Sequence, residues 1–225
     1  LKIMNGVRVK LTMGGEVSRA EKYAEKYYRG KQGLDCYLKL TQAYGHYTRW
    51  NIHDINLARP MVEEAIALCP ETPMGYIGLG WIYHHNYWLG NPKSPAETLE
   101  KGIELVQKAL AIDDSISEAH ALLCAFYMAK REYDKAIAAG ERAVALNPGG
   151  TNELVNRARS LVFSGRPEEA GPLFQKAIRL NPIGPAYLYR EFGYSLRDTG
   201  RFEEAVSAFK KAIQLAPDDI GVHSA

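Results

Sequence analysis

Two histidines stand side by side at 84 and 85 in WIYHHNYWLGNPKSP, and His120 follows further along the chain. Imidazoles are common metal ligands, but a zinc site needs three or four donors converging at ligand spacing. Neighbouring residues on a helix point about 100° apart, and no cysteine or carboxylate stands beside this pair at ligand spacing. The pattern therefore argues against a metal centre. Gly14-Gly15 and Gly149-Gly150 lie outside any GxGxxG or phosphate-loop pattern, so no cofactor is expected either. Glu63-Glu64, Glu168-Glu169 and Glu203-Glu204 are carboxylate pairs of the kind used in acid–base chemistry. Each is expected instead to open a helix, where negative charge favours the macrodipole. With no nucleophile set beside a base, no catalytic residue is assigned and this stretch of chain is read as non-enzymatic.

Composition narrows the classes further. The 28 basic and 26 acidic residues are interspersed and leave a net charge of +2, so no dominant field attracts nucleic acid or an anionic membrane surface. No apolar run approaches the roughly 18 residues of a membrane span. Cys36, Cys69 and Cys124 are odd in number, far apart and without a CxxC, which suits buried thiols and a reducing, cytoplasmic setting.

The elements that position any site come from repetition. EEAIALCP, QKALAIDD, ERAVALNP, QKAIRLNP and KKAIQLAP close at Pro70, Asp114, Pro148, Pro182 and Pro217, with spacings of 44, 34, 34 and 35 residues. A period near 34 marks a solenoid, in which each unit is too small to bury its own apolar face and must stack on its neighbours. In 186 to 219, Tyr189, Phe192, Leu196, Phe202, Ala205, Phe209, Ala212 and Leu215 recur at helical spacing on either side of Gly200. Each unit is thus helix, turn, helix. Two positions of the second helix hold Ala58, Gly102, Ala136, Ala170, Ala205 and Ala65, Ala109, Ala143, Ala177, Ala212. Small residues there set the helix separation, because overpacking costs about 1 to 3 kcal/mol per site.

The pattern of aromatic, Leu-Gly, Tyr, Ala, aromatic, Ala and Pro, met at Tyr189, Phe192, Gly193, Leu196, Ala205, Phe209, Ala212 and Pro217, resembles the tetratricopeptide repeat. The resemblance implies an all-α, right-handed superhelical solenoid of antiparallel helix pairs over 34–219. Its repeats are expected at about 35–72, 73–116, 117–150, 151–185 and 186–219, after a helical lead-in at 1–33. The first is degenerate, with His46 where a small residue is expected. The second carries ten extra residues. Thr72 with Pro73, and the capping box Ser94-Pro95-Ala96-Glu97, predict two lengthened helices joined by GNPK. Tyr87, Trp88 and Leu89 would then form a ridge beyond the edge of the array, a docking surface unless the equally long first repeat, with Tyr47 and Trp50, covers it.

The resemblance also implies a concave groove that binds a peptide or partner protein and is lined by the first helix of each repeat. The matching positions are Met74, Ile77, Trp81 and His84, then Asn152, Val155, Asn156 and Arg159, then Tyr187, Arg190, Tyr194 and Arg197. The expected ligand carries apolar and acidic residues. Relatives that clamp a chaperone's C-terminal carboxylate use Lys and Asn in consecutive repeats; only Asn156 matches, and Ala121, Ala125 and Glu191 do not.

Ile3, Val9-Lys10-Leu11-Thr12, Gly15-Glu16 and Arg19, with SPAETLEKGIELVQKALAIDDS at 94–115, resemble bacterial proteins that join an adenylate or guanylate cyclase domain to C-terminal tetratricopeptide repeats. That likeness implies a regulatory region acting on a catalytic domain outside this chain. Leu1 in place of Met, and IGVHSA at 220–225 reading as the start of a further repeat, are expected of a piece of a longer protein. An uncapped end would expose the surface around Tyr189, Phe192, Phe202 and Phe209 and favour self-association.

Overall fold

A computed structural model describes residues 24–49, 51–90, 92–184 and 186–216. Within them the backbone makes a helical turn at 24–27, then ten α-helices and no strand. These are α1 (Gly30–Tyr47), α2 (Ile52–Leu68), α3 (Pro73–Leu89), α4 (Pro95–Ile112), α5 (Ser117–Ala129), α6 (Tyr133–Leu146), α7 (Thr151–Phe163), α8 (Pro167–Leu180), α9 (Ala186–Asp198) and α10 (Phe202–Leu215). Residues 1–23 of the expected lead-in, Trp50, Pro217 and IGVHSA lie outside the described residues.

The chain divides into two compact units, Leu1–Lys93 and Ser94–Ala225. In the first, α1 packs on α2 and both meet α3, closing Ala43, Tyr47, Ile55, Ala58, Val62 and Ile82 into one core. In the second, α5, α7 and α9 each pack on their even partner, and α5 meets α7 as α7 meets α9. Its core runs through Leu154, Val155, Ala158, Phe174 and Leu188.

All ten small-residue positions are buried. The one glycine among them has its own cause: a Cβ on Gly102 would stand 2.1 Å from Cζ of Phe126, whose fully buried ring fills that space. The turns after α5, α7 and α9 close alike, with the backbone N–H of Glu132, Arg166 and Arg201 donating to Tyr127, Leu161 and Leu196 at 2.9, 2.8 and 2.8 Å. The left-handed residue these turns require is Gly165 (φ 81) and Gly200 (φ 75), but Arg131 (φ 60) in the first of them.

Several local expectations shift. Among the described residues the first full helix begins at Gly30, inside the stretch expected to lead in, and the chain folds back from Tyr28 so closely that a Cβ on Gly33 would meet the Tyr28 carbonyl carbon at 2.4 Å. Helices α1 to α4 have 18, 17, 17 and 18 residues against 13 or 14 for the rest, so four helices are longer by about a turn. Ser94 is the N-cap of α4, but its side chain makes no capping bond; Glu97 pairs with Lys101 at 2.5 Å instead. Glu63 and Glu64 do not open a helix: α2 starts at Ile52, and the two carboxylates pair with Arg59 and Lys39 from its second half. Glu168-Glu169 and Glu203-Glu204 do sit in first turns, where Glu169 and Glu204 clasp Arg166 and Arg201.

His46 owes its place to the α1–α2 turn. Its Nδ1 lies 2.6 Å from Asp54 Oδ1, and the Asn51 side chain donates to Oδ2 at 2.7 Å while accepting from the Asp54 N–H at 2.9 Å. The bond to His46, then that to Asn51, with the nearby Arg49 charge, hold the Asp54 carboxyl below the usual carboxylate range. A depressed folded value means stability that is present above the unfolded value of about 4 and is lost as pH falls through the folded one. The stability gap between the wild type and Asp54→Asn is expected to hold from neutral pH to about pH 4 and to close below it. Denaturant titrations at a series of pH values check this; a gap unchanged down to pH 2 would remove the assigned role.

Candidate partner-binding groove

In the first unit α1 turns Tyr37, Leu40, Thr41 and Tyr44 to one face, a spacing of three, four and seven. With Met74 and Gly78 of α3, and with Tyr28, Tyr47 and Val62, they line a groove of about 200 Å³. Tyr28 meets Tyr37 edge-on with centroids 5.3 Å apart, and Tyr44 meets Tyr47 edge-on at 5.4 Å. Tyr37 and Tyr44 keep 46% and 56% of their surface exposed. None of these lining residues carries a charge. The sequence assigns no groove residue to this repeat because its match to the pattern is poor; the signal was present in the helical spacing of its tyrosines.

Of the positions expected to line a concave groove along the repeats, Met74 borders this first-unit groove. Ile77 is fully closed in the core and His84 is 2% exposed, so neither offers a surface to a partner. Trp81 is half-buried, with its ring 5.5 Å from His84 and 5.8 Å from His85. Burial pushes His85 down to about 3, which keeps it neutral. At the positions of the expected ridge, Tyr87 is half-buried, while Trp88 and Leu89 are 49% and 37% exposed. Trp88 Nε1 donates to His84 Nε2 at 3.1 Å, which fixes the indole from below.

The second unit gathers the later positions. Val155 is core, 1% exposed, and the buried Asn156 donates to the carbonyl and side-chain oxygens of Asn152, each at 3.0 Å. Tyr187 and Tyr194 are half-buried. Arg159 and Arg190 both approach Glu191, at 3.3 and 3.4 Å. Arg197 pairs with Asp198 at 2.9 Å and lies over the Tyr194 ring, 5.0 Å from its centroid. The basic surface is thus partly neutralised from within: an acidic ligand would compete with Glu191. Of the aromatic residues expected to drive self-association, Tyr189 is buried and donates to the Pro182 carbonyl at 2.7 Å. Phe192 packs on Phe174, and Phe209 lies against Gly193. Only Phe202 of the four is exposed, at 65%.

Among the described residues no three histidine, cysteine or acidic side chains come together to hold a metal ion. His120 bonds the Asp114 carbonyl of its own turn at 2.9 Å. Among the same residues no helix is long and apolar enough to cross a membrane.

A tetratricopeptide-repeat family model matches residues 155–220. No curated protein matches the chain. Among solved structures, a thermophilic tetratricopeptide-repeat protein of Thermus thermophilus aligns with TM-score 0.66 at 17% identity, covering 86% of this chain and 95% of that one. PilF of Pseudomonas aeruginosa aligns at 0.62 and 16% identity, covering 84% and 80%. YrrB, described as a tetratricopeptide-repeat protein with an unusual peptide-binding site, aligns at 0.50 and 20%, covering 77% and 84%. At these identities the likeness is one of fold.

Proposed function

We propose that this tetratricopeptide-repeat solenoid is a protein-interaction module that takes an extended or helical segment of a partner against the tyrosine-walled groove of its first unit. The observation that carries the reading is the groove itself: exposed tyrosine faces along α1, an apolar wall from α3 and no charge between them. Tyrosine offers a large, rigid contact area with a hydroxyl at its tip, at small conformational cost. A peptide-binding site in a protein of the same fold supports the reading by analogy. By itself the second unit presents Arg159, Arg190 and Arg197, a basic surface that would favour acidic side chains, moderated by Glu191 and Asp198.

Peptides selected from a random library on the immobilised chain provide the ligand for a test. Tyr44→Ala is expected to weaken the selected peptides about tenfold or more, the range for truncating an aromatic anchor. Trp81→Ala should weaken them less. Unchanged affinity in both variants would overturn the assignment. The second reading, a regulatory region of a nucleotide cyclase, rests on the residue likeness at 3–19 and 94–115. It predicts that joining this chain to a cyclase domain changes that domain's turnover, and equal turnover with and without it would dismiss the idea.

A further inference from the structure

Cys36 and Cys69, 33 residues apart in the chain, come together where α1 begins and α2 ends. Cys36 Sγ lies 3.5 Å from the Ala65 carbonyl oxygen, which also accepts the Cys69 N–H at 2.9 Å. Reciprocally, Cys69 Sγ lies 3.8 Å from the Gln32 carbonyl oxygen, one helical turn before Cys36. Each thiol donates into the turn that carries the other, and both join one apolar cluster with Tyr28 and Ala65. Their surroundings differ. Cys36 is fully buried, whereas Cys69 is half-buried and forms part of the wall of a cavity of about 290 Å³ shared with Lys26, Arg29 and Gln32.

We propose that Cys69 is a modification site for small anionic disulfides of the glutathione type, with Cys36 as the resolving thiol that converts the adduct into an internal Cys36–Cys69 disulfide. Lys26 and Arg29 outnumber Glu71, the one carboxylate lining the same cavity, and complement the carboxylates of such a molecule. The Cys69 thiolate attacks one sulfur of the small disulfide, forming a mixed disulfide and releasing one small thiolate. That thiolate takes the Cys36 proton, and the Cys36 thiolate attacks the Cys69 sulfur and expels the second small thiol. Two protein thiols are oxidised and one small disulfide is reduced to two thiols. The order of attack follows exposure: only Cys69 is reachable, and burial, with a hydrogen bond to the Cys69 thiol adding, pushes Cys36 up to about 12, so Cys36 acts only on a sulfur already beside it. Cys124 provides an internal control, since it is fully buried and donates to the Asn156 carbonyl at 3.3 Å.

The test treats the folded full chain with oxidised glutathione at mildly alkaline pH, alkylates the remaining thiols and maps the peptides by mass. Wild type is expected to yield a Cys36–Cys69 cross-linked peptide, two hydrogens lighter than its parts, with Cys124 alkylated. Cys36→Ser should stop at one glutathione on Cys69, and Cys69→Ser should keep its remaining thiols unmodified. Circular dichroism confirms that each chain is folded, and the wild-type result stands without the variants. A wild type that carries glutathione on Cys69 without the cross-link, or that retains all three thiols while folded, overturns the proposal.

Discussion

Replacing Gly102 with alanine is expected to lower the thermal midpoint by about 4 to 8 °C, the shift that about 2 kcal/mol produces in a chain of this size. The outcome runs against the pattern of the chain itself, because the four equivalent positions, Ala58, Ala136, Ala170 and Ala205, all hold alanine. Helix propensity alone would make the change favourable by about 1 kcal/mol. Packing decides otherwise. The new methyl would sit 2.1, 2.4 and 3.0 Å from three ring carbons of Phe126, and that ring is fully buried. Overpacking of a closed site costs about 1 to 3 kcal/mol, and contacts this short between a backbone-anchored methyl and a rigid ring belong at the upper end. Phe126→Leu in the same chain should recover part of the loss, since the smaller side chain vacates the space the methyl needs. Thermal and denaturant unfolding of the two single variants and the double variant measure this coupling. A Gly102→Ala chain as stable as wild type, or more stable, would show that helix propensity wins.

Glu153→Ala is expected to cost about 1 to 3 kcal/mol, the price of leaving buried polar groups without their partner. Glu153 is 6% exposed, accepts from the Ser117 hydroxyl at 2.6 Å and from the Asn147 side chain at 3.2 Å, and lies in the first turn of α7. Ser117 is the first residue of α5, so one carboxylate ties together the starts of two consecutive first helices. It also folds back so tightly that a Cβ on Gly150 would meet Oε2 at 1.9 Å. Glu153→Gln keeps an acceptor in place and should cost less than Glu153→Ala; Gly150→Ala should resemble the loss of the carboxylate by displacing it. Equal, small effects of all three substitutions in denaturant unfolding would mean that the link adds nothing to the packing of α5 on α7.

The helix pairs, their period and their small-residue positions were legible in the sequence, because each depends on residues within one or two turns of each other. Leu196, Gly200, Ala205 and Ala212 announce a helix, a left-handed turn and a close-packed second helix by spacing alone, and the same residue types stand at Leu161, Gly165, Ala170 and Ala177 in the repeat before. Residue type and local period are enough to determine a backbone hydrogen-bonded to its own neighbours and the stripe it must bury. Even where the pattern fades, at α1, the helix forms, since amphipathic spacing survives the loss of the repeat signature.

What only the tertiary structure decided is which distant side chains meet and which remain open. Nothing in the spacing of Ser117 and Glu153, or of Cys36 and Cys69, marks them as neighbours; helix stacking brings each pair together from more than thirty residues apart. Ile77, His84 and Val155 hold positions expected from the repeat pattern to line a groove, yet here they are closed in the core. A helical face is wide enough that a small rotation moves a residue from groove to core, and that rotation is set by the volumes packed behind it. The tyrosines of α1 stay open for the same reason: α2 buries the opposite side of that helix and leaves Tyr37 and Tyr44 on a face that stays in water.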